Sequence, residues 1–113
     1  MTKIKFFKKQ DKFIGFECKG HTGYSESGQD VLCATISGIT QSCLVGLLRV
    51  VKVSPKCTRD DESGYLKIEL PNNLNIDKVE ESNILIAVVY ESIMDLIDGY
   101  SEYISMEVIE NVY

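Results

Sequence analysis

At 113 residues, with 44% hydrophobic and 26% charged residues, the chain has the composition of one soluble globular domain covering residues 1 to 113. The formal net charge of −5 argues against direct binding to nucleic acid. The basic start is not followed by the apolar stretch of a signal peptide, and no uninterrupted apolar run approaches the ~20 residues of a membrane span. We therefore expect a cytoplasmic protein that contacts no membrane and whose four cysteines are free thiols.

Residues 3 to 9 and residues 13 to 19 both alternate between apolar and polar side chains, with Gln10 and Asp11 between them. This pattern predicts a β-hairpin. Residues 20 to 29 are rich in glycine and serine, which is typical of a loop.

Apolar residues recur at steps of three and four from residue 31 to residue 53, after Asp30 at the expected N-cap. This spacing predicts a largely buried helix of about 20 residues that ends before Pro55. Residues 57 to 59 and 65 to 70 then predict two strands around an acidic turn. A second helix is expected over residues 76 to 101, although its segment 84 to 90, ILIAVVY, also has strand propensity.

The predicted fold is an α+β domain in the order ββαββα, with a further strand expected at residues 104 to 108. Two hairpins would form a small, mostly antiparallel sheet, and both helices would pack on one face of it. Segment 84 to 90 is apolar around more of its circumference than such a sheet can cover. A homodimer interface could bury the excess.

His21, the only histidine, and Cys33 are candidates for thiol catalysis. Cys33 falls in the first turn of the predicted helix, where backbone N–H groups and the helix dipole favour a thiolate and could stabilise an oxyanion. His21 would act as the general base. In the alternative interpretation, His21 is an ordinary loop residue and Cys33 a small core side chain.

A zinc site is a further alternative. Cys18, His21 and Cys33 could supply three ligands, and Cys43 or Cys57 could supply the fourth. Cys18 alternates with core residues, however, and the cysteines form no CxxC pair. We therefore expect neither a metal nor another cofactor, and we assign the three cysteines other than Cys33 to packing.

The stretch GHTGYSESGQDVLCATIS resembles the signature of the ribosomal-processing cysteine protease family, Prp. The matching positions are Gly20, His21, Tyr24, Gly28, Asp30, Cys33 and Ser37. SGYLKIELP at 63 to 71 and EYISMEVIE at 102 to 110 are similar to later parts of the family pattern. Leu32 and Thr35 depart from the commoner family residues without touching the proposed chemistry.

The resemblance implies a cysteine endopeptidase that removes the N-terminal extension of a bacterial large-subunit ribosomal protein, after an apolar, phenylalanine-containing segment. It assigns catalysis to Cys33 and His21, and it implies a homodimer with a mobile loop between these two residues. We expect Asp30 and Ser37 to support the site. Gly20, Gly23, Tyr24 and Gly28 would belong to the substrate loop.

The competing hypothesis is a non-enzymatic, ribosome-associated protein. It would bind the same ribosomal protein, which is basic, without cutting it.

Overall fold

The computed structural model describes residues 1–21, 23 and 30–110. The elements in chain order are β1 (Thr2–Lys9), β2 (Lys12–Lys19), α1 (Val31–Gly46), β3 (Lys56–Asp60), β4 (Tyr65–Glu69), α2 (Ile76–Tyr100) and β5 (Ile104–Ile109). The α+β class, the ββαββα order and the additional C-terminal strand are all confirmed.

The five strands form one sheet in the order β3-β4-β2-β1-β5. β1 pairs antiparallel with β2, β2 with β4 and β4 with β3, whereas β5 runs parallel to β1. The β1–β2 connection is tight because Gln10 and Asp11 both have positive φ, as a two-residue type I′ turn requires. The two predicted hairpins therefore join through β2 and β4, and the sheet is mostly antiparallel as expected.

Helix α1 ends differently from a regular helix of the predicted length. It continues from Gly46 into a π-helical turn over Leu47–Val51, and Lys52 then adopts a left-handed conformation with φ 66°. The carbonyl of Leu47 accepts hydrogen bonds from the N–H groups of both Lys52 and Val53. The helix therefore stops before residue 53, and Pro55 follows in an irregular segment.

By length and composition alone, the helical stretch Val31–Val51 could cross a membrane. The core helix of a soluble protein passes the same test, and α1 contributes Leu32, Ile36 and Cys43 to the hydrophobic core. A search for uninterrupted apolar runs does not find this stretch, because the serines and threonines of the helix break it up.

The core lies between the sheet and the helices. β1, β2 and β4 contribute Phe6, Phe16 and Ile68, which are fully buried, and α2 contributes Ile86 and Ile93. ILIAVVY is helical throughout, so burial against the sheet outweighs its strand propensity. Its outer side chains remain uncovered, since Ile84 is 63% and Val88 58% exposed.

Candidate functional site

His21 follows the end of β2, and the residue before it is tightly held. Gly20 donates its N–H to the Gly64 carbonyl at 3.1 Å, and its own carbonyl accepts a hydrogen bond from Thr2 Oγ1 at 3.3 Å. Gly20 has φ 92°, and a Cβ there would lie 2.9 Å from the Met1 carbonyl oxygen. Both the conformation and the close approach favour glycine.

The His21 ring lies against the turn between β3 and β4. Its Nε2 is 3.3 Å from the Glu62 carbonyl oxygen. Gly64 has φ 65°, and a Cβ on this residue would lie 3.0 Å from His21 Cε1. The imidazole of this exposed residue thus contacts a hairpin turn some forty positions away in the sequence.

Cys33 lies in the first turn of α1, as the sequence predicted. Asp30 caps the helix, since its Oδ1 accepts the Cys33 N–H at 3.0 Å and its carbonyl accepts the Ala34 N–H at 3.1 Å. Asp30 is nearly buried, whereas the Cys33 side chain is half-buried. The cap fixes the backbone that carries the thiol.

His21 and Cys33 line the same cavity, which has a volume of about 200 Å³. Ser37 and Gln41 follow Cys33 at four-residue steps on the cavity side of α1. Gln41 Nε2 donates to Ser37 Oγ at 2.7 Å, so the predicted supporting serine is part of a side-chain pair along the wall. Cys18 of β2 also contributes to the lining.

The opposite wall belongs to the β3–β4 hairpin. Arg59, Asp60, Asp61 and Tyr65 line the cavity there. Arg59 Nε and Asp61 Oδ1 form an ion pair at 2.7 Å, and the carboxylate raises the pKa of the guanidinium above its usual range. One wall is therefore a helix face with a thiol, and the other is a polar hairpin that contacts the histidine.

The remaining cysteines differ from Cys33. Burial raises the pKa of Cys18 to about 12, with a further contribution from the Glu17 charge, and burial raises that of Cys43 to about 11. Both thiols are thus protonated at neutral pH, which fits their predicted packing role. Cys57, also assigned to packing, is instead exposed on the edge strand β3, so that part of the prediction is wrong.

Within the described residues, no group of three histidine, cysteine, aspartate or glutamate side chains could hold a metal ion. Cys18, His21 and Cys33 share the cavity lining, but they do not form a coordination cluster. The zinc alternative therefore has no support in this part of the chain.

The predicted substrate loop is described only in part. Gly23 is exposed with φ 72°, a conformation that favours glycine. Tyr24 and Gly28 lie outside the described residues.

Sequence reasoning missed Thr2 and the contribution of the β3–β4 turn. The acidic turn DDESG indicated a loop, but no local signal placed Glu62 and Gly64 against His21. These contacts depend on the pairing of β2 with β4, which brings together strands far apart in the sequence.

The model of a protein family described as cysteine protease Prp matches residues 1–105. The ribosomal processing cysteine protease Prp of Bacillus subtilis is 23% identical over 89 residues, which are 79% of this chain and 80% of that protein.

Solved structures share the fold. An essential ribosomal processing protease Prp from Staphylococcus aureus, in complex with a covalently linked product peptide, superposes with a TM-score of 0.85 at 19% identity, over 96% of this chain and 100% of that one. A protein from Streptococcus mutans gives a TM-score of 0.84 at 22% identity, over 97% of this chain and 95% of that one. The family match over nearly the whole sequence, on a fold that places a cysteine and a histidine in one cavity, shows that the chain belongs to the Prp family of cysteine proteases.

Proposed function

We propose that Cys33 and His21 form the catalytic pair of this protease, and that its substrate is the N-terminal extension of a bacterial large-subunit ribosomal protein. The observation that carries the proposal is that a thiol at a helix start and the only imidazole of the chain line one cavity. Thiol proteolysis needs a nucleophile, a base and space for a peptide between them.

The reaction is an acyl transfer. His21 accepts the Cys33 proton, and the thiolate attacks the carbonyl carbon of the scissile peptide bond. As the tetrahedral intermediate collapses, the C–N bond breaks and His21 returns the proton to the leaving amine. Water then hydrolyses the thioester with His21 again as base, which restores the free thiol and needs no cofactor.

The oxyanion requires N–H donors near Cys33. The N–H groups of Cys33 and Ala34 already donate to Asp30 within the helix cap. An oxyanion at this helix end would therefore use the earlier N–H groups, those of Val31 and Leu32. This refines the sequence-based expectation, which assigned the role to the first turn as a whole.

Three features support the substrate. The Bacillus subtilis relative is named as a ribosomal processing protease, and a structure of a Staphylococcus aureus Prp contains a substrate peptide. The cavity has apolar lining from Ile36, Leu44 and Leu66, which suits an apolar segment before the cleaved bond. The net charge of −5 favours encounter with a basic ribosomal protein.

The test is incubation of the purified protein with a precursor peptide that spans the N-terminal extension, followed by mass spectrometry of the products. We expect one cut after the apolar segment, and none with Cys33→Ala. If the wild-type protein binds the peptide but leaves it intact, the non-enzymatic binding protein replaces the endopeptidase.

We also propose that the protein is a homodimer. A Cβ on Gly46 of α1 would lie 3.0 Å from Leu85 Cδ1 of α2. The two helices are therefore close at this point. Ile84 and Val88 on α2 and Leu48 on the π-helical turn remain exposed nearby. A second copy could cover this apolar surface. Light scattering should give twice the chain mass, and Ile84→Glu with Val88→Glu should give a folded monomer; a monomeric wild-type protein would contradict the proposal.

The cytoplasmic location stays a prediction. The described structure contains four free cysteines, which fits a reducing compartment. Fractionation of the source cells would test it directly.

A further inference from the structure

The β3–β4 turn contacts the catalytic histidine through its backbone. Glu62 presents its carbonyl oxygen to His21 Nε2 at 3.3 Å. A carbonyl oxygen can only accept a hydrogen bond, so this contact is favourable only when Nε2 carries the proton. In the neutral ring, the other nitrogen, Nδ1, is then unprotonated and able to take a proton.

The turn itself is held by Asp60. Its Oδ1 accepts the N–H of Glu62 at 3.1 Å, which is the hydrogen bond of an Asx turn. The Ser63 hydroxyl donates to the Asp60 carbonyl at 3.4 Å, and the Gly64 N–H donates to the Asp61 carbonyl at 3.3 Å. These bonds hold the backbone and side chain on both sides of the Glu62–Ser63 peptide unit, whose carbonyl faces the imidazole.

The turn is also joined to the backbone next to His21. Gly64 accepts the N–H of Gly20 at 3.1 Å, and its lack of a side chain leaves room for the ring edge. A Cβ on Gly64 would meet the Gly20 carbonyl oxygen at 2.9 Å as well as His21 Cε1 at 3.0 Å. The imidazole and the turn are therefore packed as one unit.

The aspartate before the catalytic helix has a different task. Asp30 Oδ1 accepts the Cys33 N–H and thus serves the helix cap. In a cysteine or serine protease triad, a third group accepts a hydrogen bond from the histidine and fixes its tautomer. Among the interactions of His21 in the described residues, the Glu62 carbonyl has that geometry.

We propose that the β3–β4 turn takes the place of a triad acid, with Asp60 as a positioning residue that orients the Glu62 carbonyl toward His21 Nε2. His21 Nδ1 is then the atom that accepts the Cys33 proton. This proposal rests on the proposed catalytic pair. Its distinguishing feature is that the Asp60 side chain acts through hydrogen-bond geometry rather than through negative charge.

Two substitutions separate geometry from charge. Asp60→Asn keeps an oxygen that can accept the Glu62 N–H but removes the charge, whereas Asp60→Ala removes both. Gly64→Ala is less informative because it would strain the backbone and press against the Gly20 carbonyl as well as the ring. Since Asp60 is exposed at the end of the edge strand β3, both Asp60 variants should fold, and thermal melts check this.

The first readout is the tautomer of His21. Because the chain contains one histidine, ¹⁵N-histidine labelling gives a single pair of ring nitrogen signals. In the pH range where these signals show a neutral ring, we expect the wild-type protein and Asp60→Asn to favour the Nε2–H form about fivefold more strongly than Asp60→Ala does. A predominant Nδ1–H form in the wild-type protein would overturn the proposal.

The second readout is cleavage. We expect Asp60→Ala to lower kcat about tenfold with KM changed less than about twofold. Asp60→Asn should keep the wild-type kcat. Equal losses in both variants would mean that the charge matters, and the proposal would be wrong. Failure of the wild-type protein to cleave would instead refute the proposed function, and the tautomer measurement, which needs no substrate, would still decide the role of the turn.

Discussion

Cys33 and Cys43 lie on the same helix in opposite environments. Cys43 is 5% exposed within the hydrophobic core, and burial raises its pKa to about 11. Cys33 lies in the first turn, beside the Asp30 cap, and lines the cavity shared with His21. The difference shows that the position of a thiol on the helix, rather than the apolar character of the helix, determines its environment.

The same contrast divides the faces of α1. One face presents Cys33, Ser37 and Gln41 to the cavity, and another presents Leu32 and Cys43 to the core. The core face anchors the helix, and the anchored helix holds the thiol in place.

Substitution of the two cysteines should have opposite effects. We expect Cys33→Ala to lower kcat/KM at least ~1000-fold with an unchanged melting temperature, because it removes the nucleophile from a half-buried site. Cys43→Ala should preserve activity and lower the free energy of unfolding by ~1 kcal/mol, because it leaves a small cavity in the core. Peptide cleavage assays and thermal melts measure both. Normal turnover by Cys33→Ala would break the comparison.

Alkaline pH should destabilise the protein through its buried thiols. The folded state raises the pKa of Cys18 from 9.0 to about 12 and that of Cys43 to about 11. The unfolded chain therefore loses these protons at lower pH than the folded chain does. The free energy of unfolding should fall once pH exceeds about 9, by up to about 2 kcal/mol per thiol near pH 10.5, with no effect of these groups below pH 8.

Urea unfolding at about pH 8 and at about pH 10.5 measures this loss of stability. In the Cys18→Ala/Cys43→Ala double variant, the loss between the two pH values should be smaller by the contribution of both thiols. An unchanged pH dependence in that variant would show that other groups cause the alkaline destabilisation.

The helix cap should make a modest contribution to stability. Asp30→Ala removes the acceptor for the Cys33 N–H, and we expect it to cost ~1 kcal/mol. Asparagine is also a good N-cap, so Asp30→Asn should stay within ~0.5 kcal/mol of the wild-type protein. Thermal melts give the stability, and the cleavage rate of Asp30→Asn shows whether the charge has an additional role. If Asp30→Asn lost as much stability as Asp30→Ala, the capping role of Asp30 would be wrong.

Local patterns predicted most of the fold. The period-two alternation of residues 3 to 19 and the three-four spacing around Ile36 and Ile86 depend on burial of one face, which the structure confirms. The parallel pairing of β5 with β1 and the π-helical end of α1 were not predicted. Strand order depends on contacts between distant segments, and the helix end depends on the unusual conformation of Lys52.

The site was predicted to a different extent on its two sides. Asp30, Cys33 and Ser37 follow one another on a helix, so their relation could be worked out from the sequence. The contact of His21 with Glu62 could not, because it depends on how two hairpins join in the sheet. The local half of the site is readable from sequence, and the half built from non-local pairing is not.

The central claim is that His21 activates Cys33, and alkylation tests it without a substrate. Peptide mapping after brief iodoacetamide treatment at about pH 7 compares Cys33 with Cys57, which is exposed on β3 and serves as an internal control. We predict that Cys33 reacts at least about tenfold faster than Cys57, and that His21→Gln removes this advantage while Cys57 is unaffected. If Cys33 reacts no faster than Cys57, or if its rate is the same in His21→Gln, then His21 does not activate the thiol and the proposed catalytic pair is wrong.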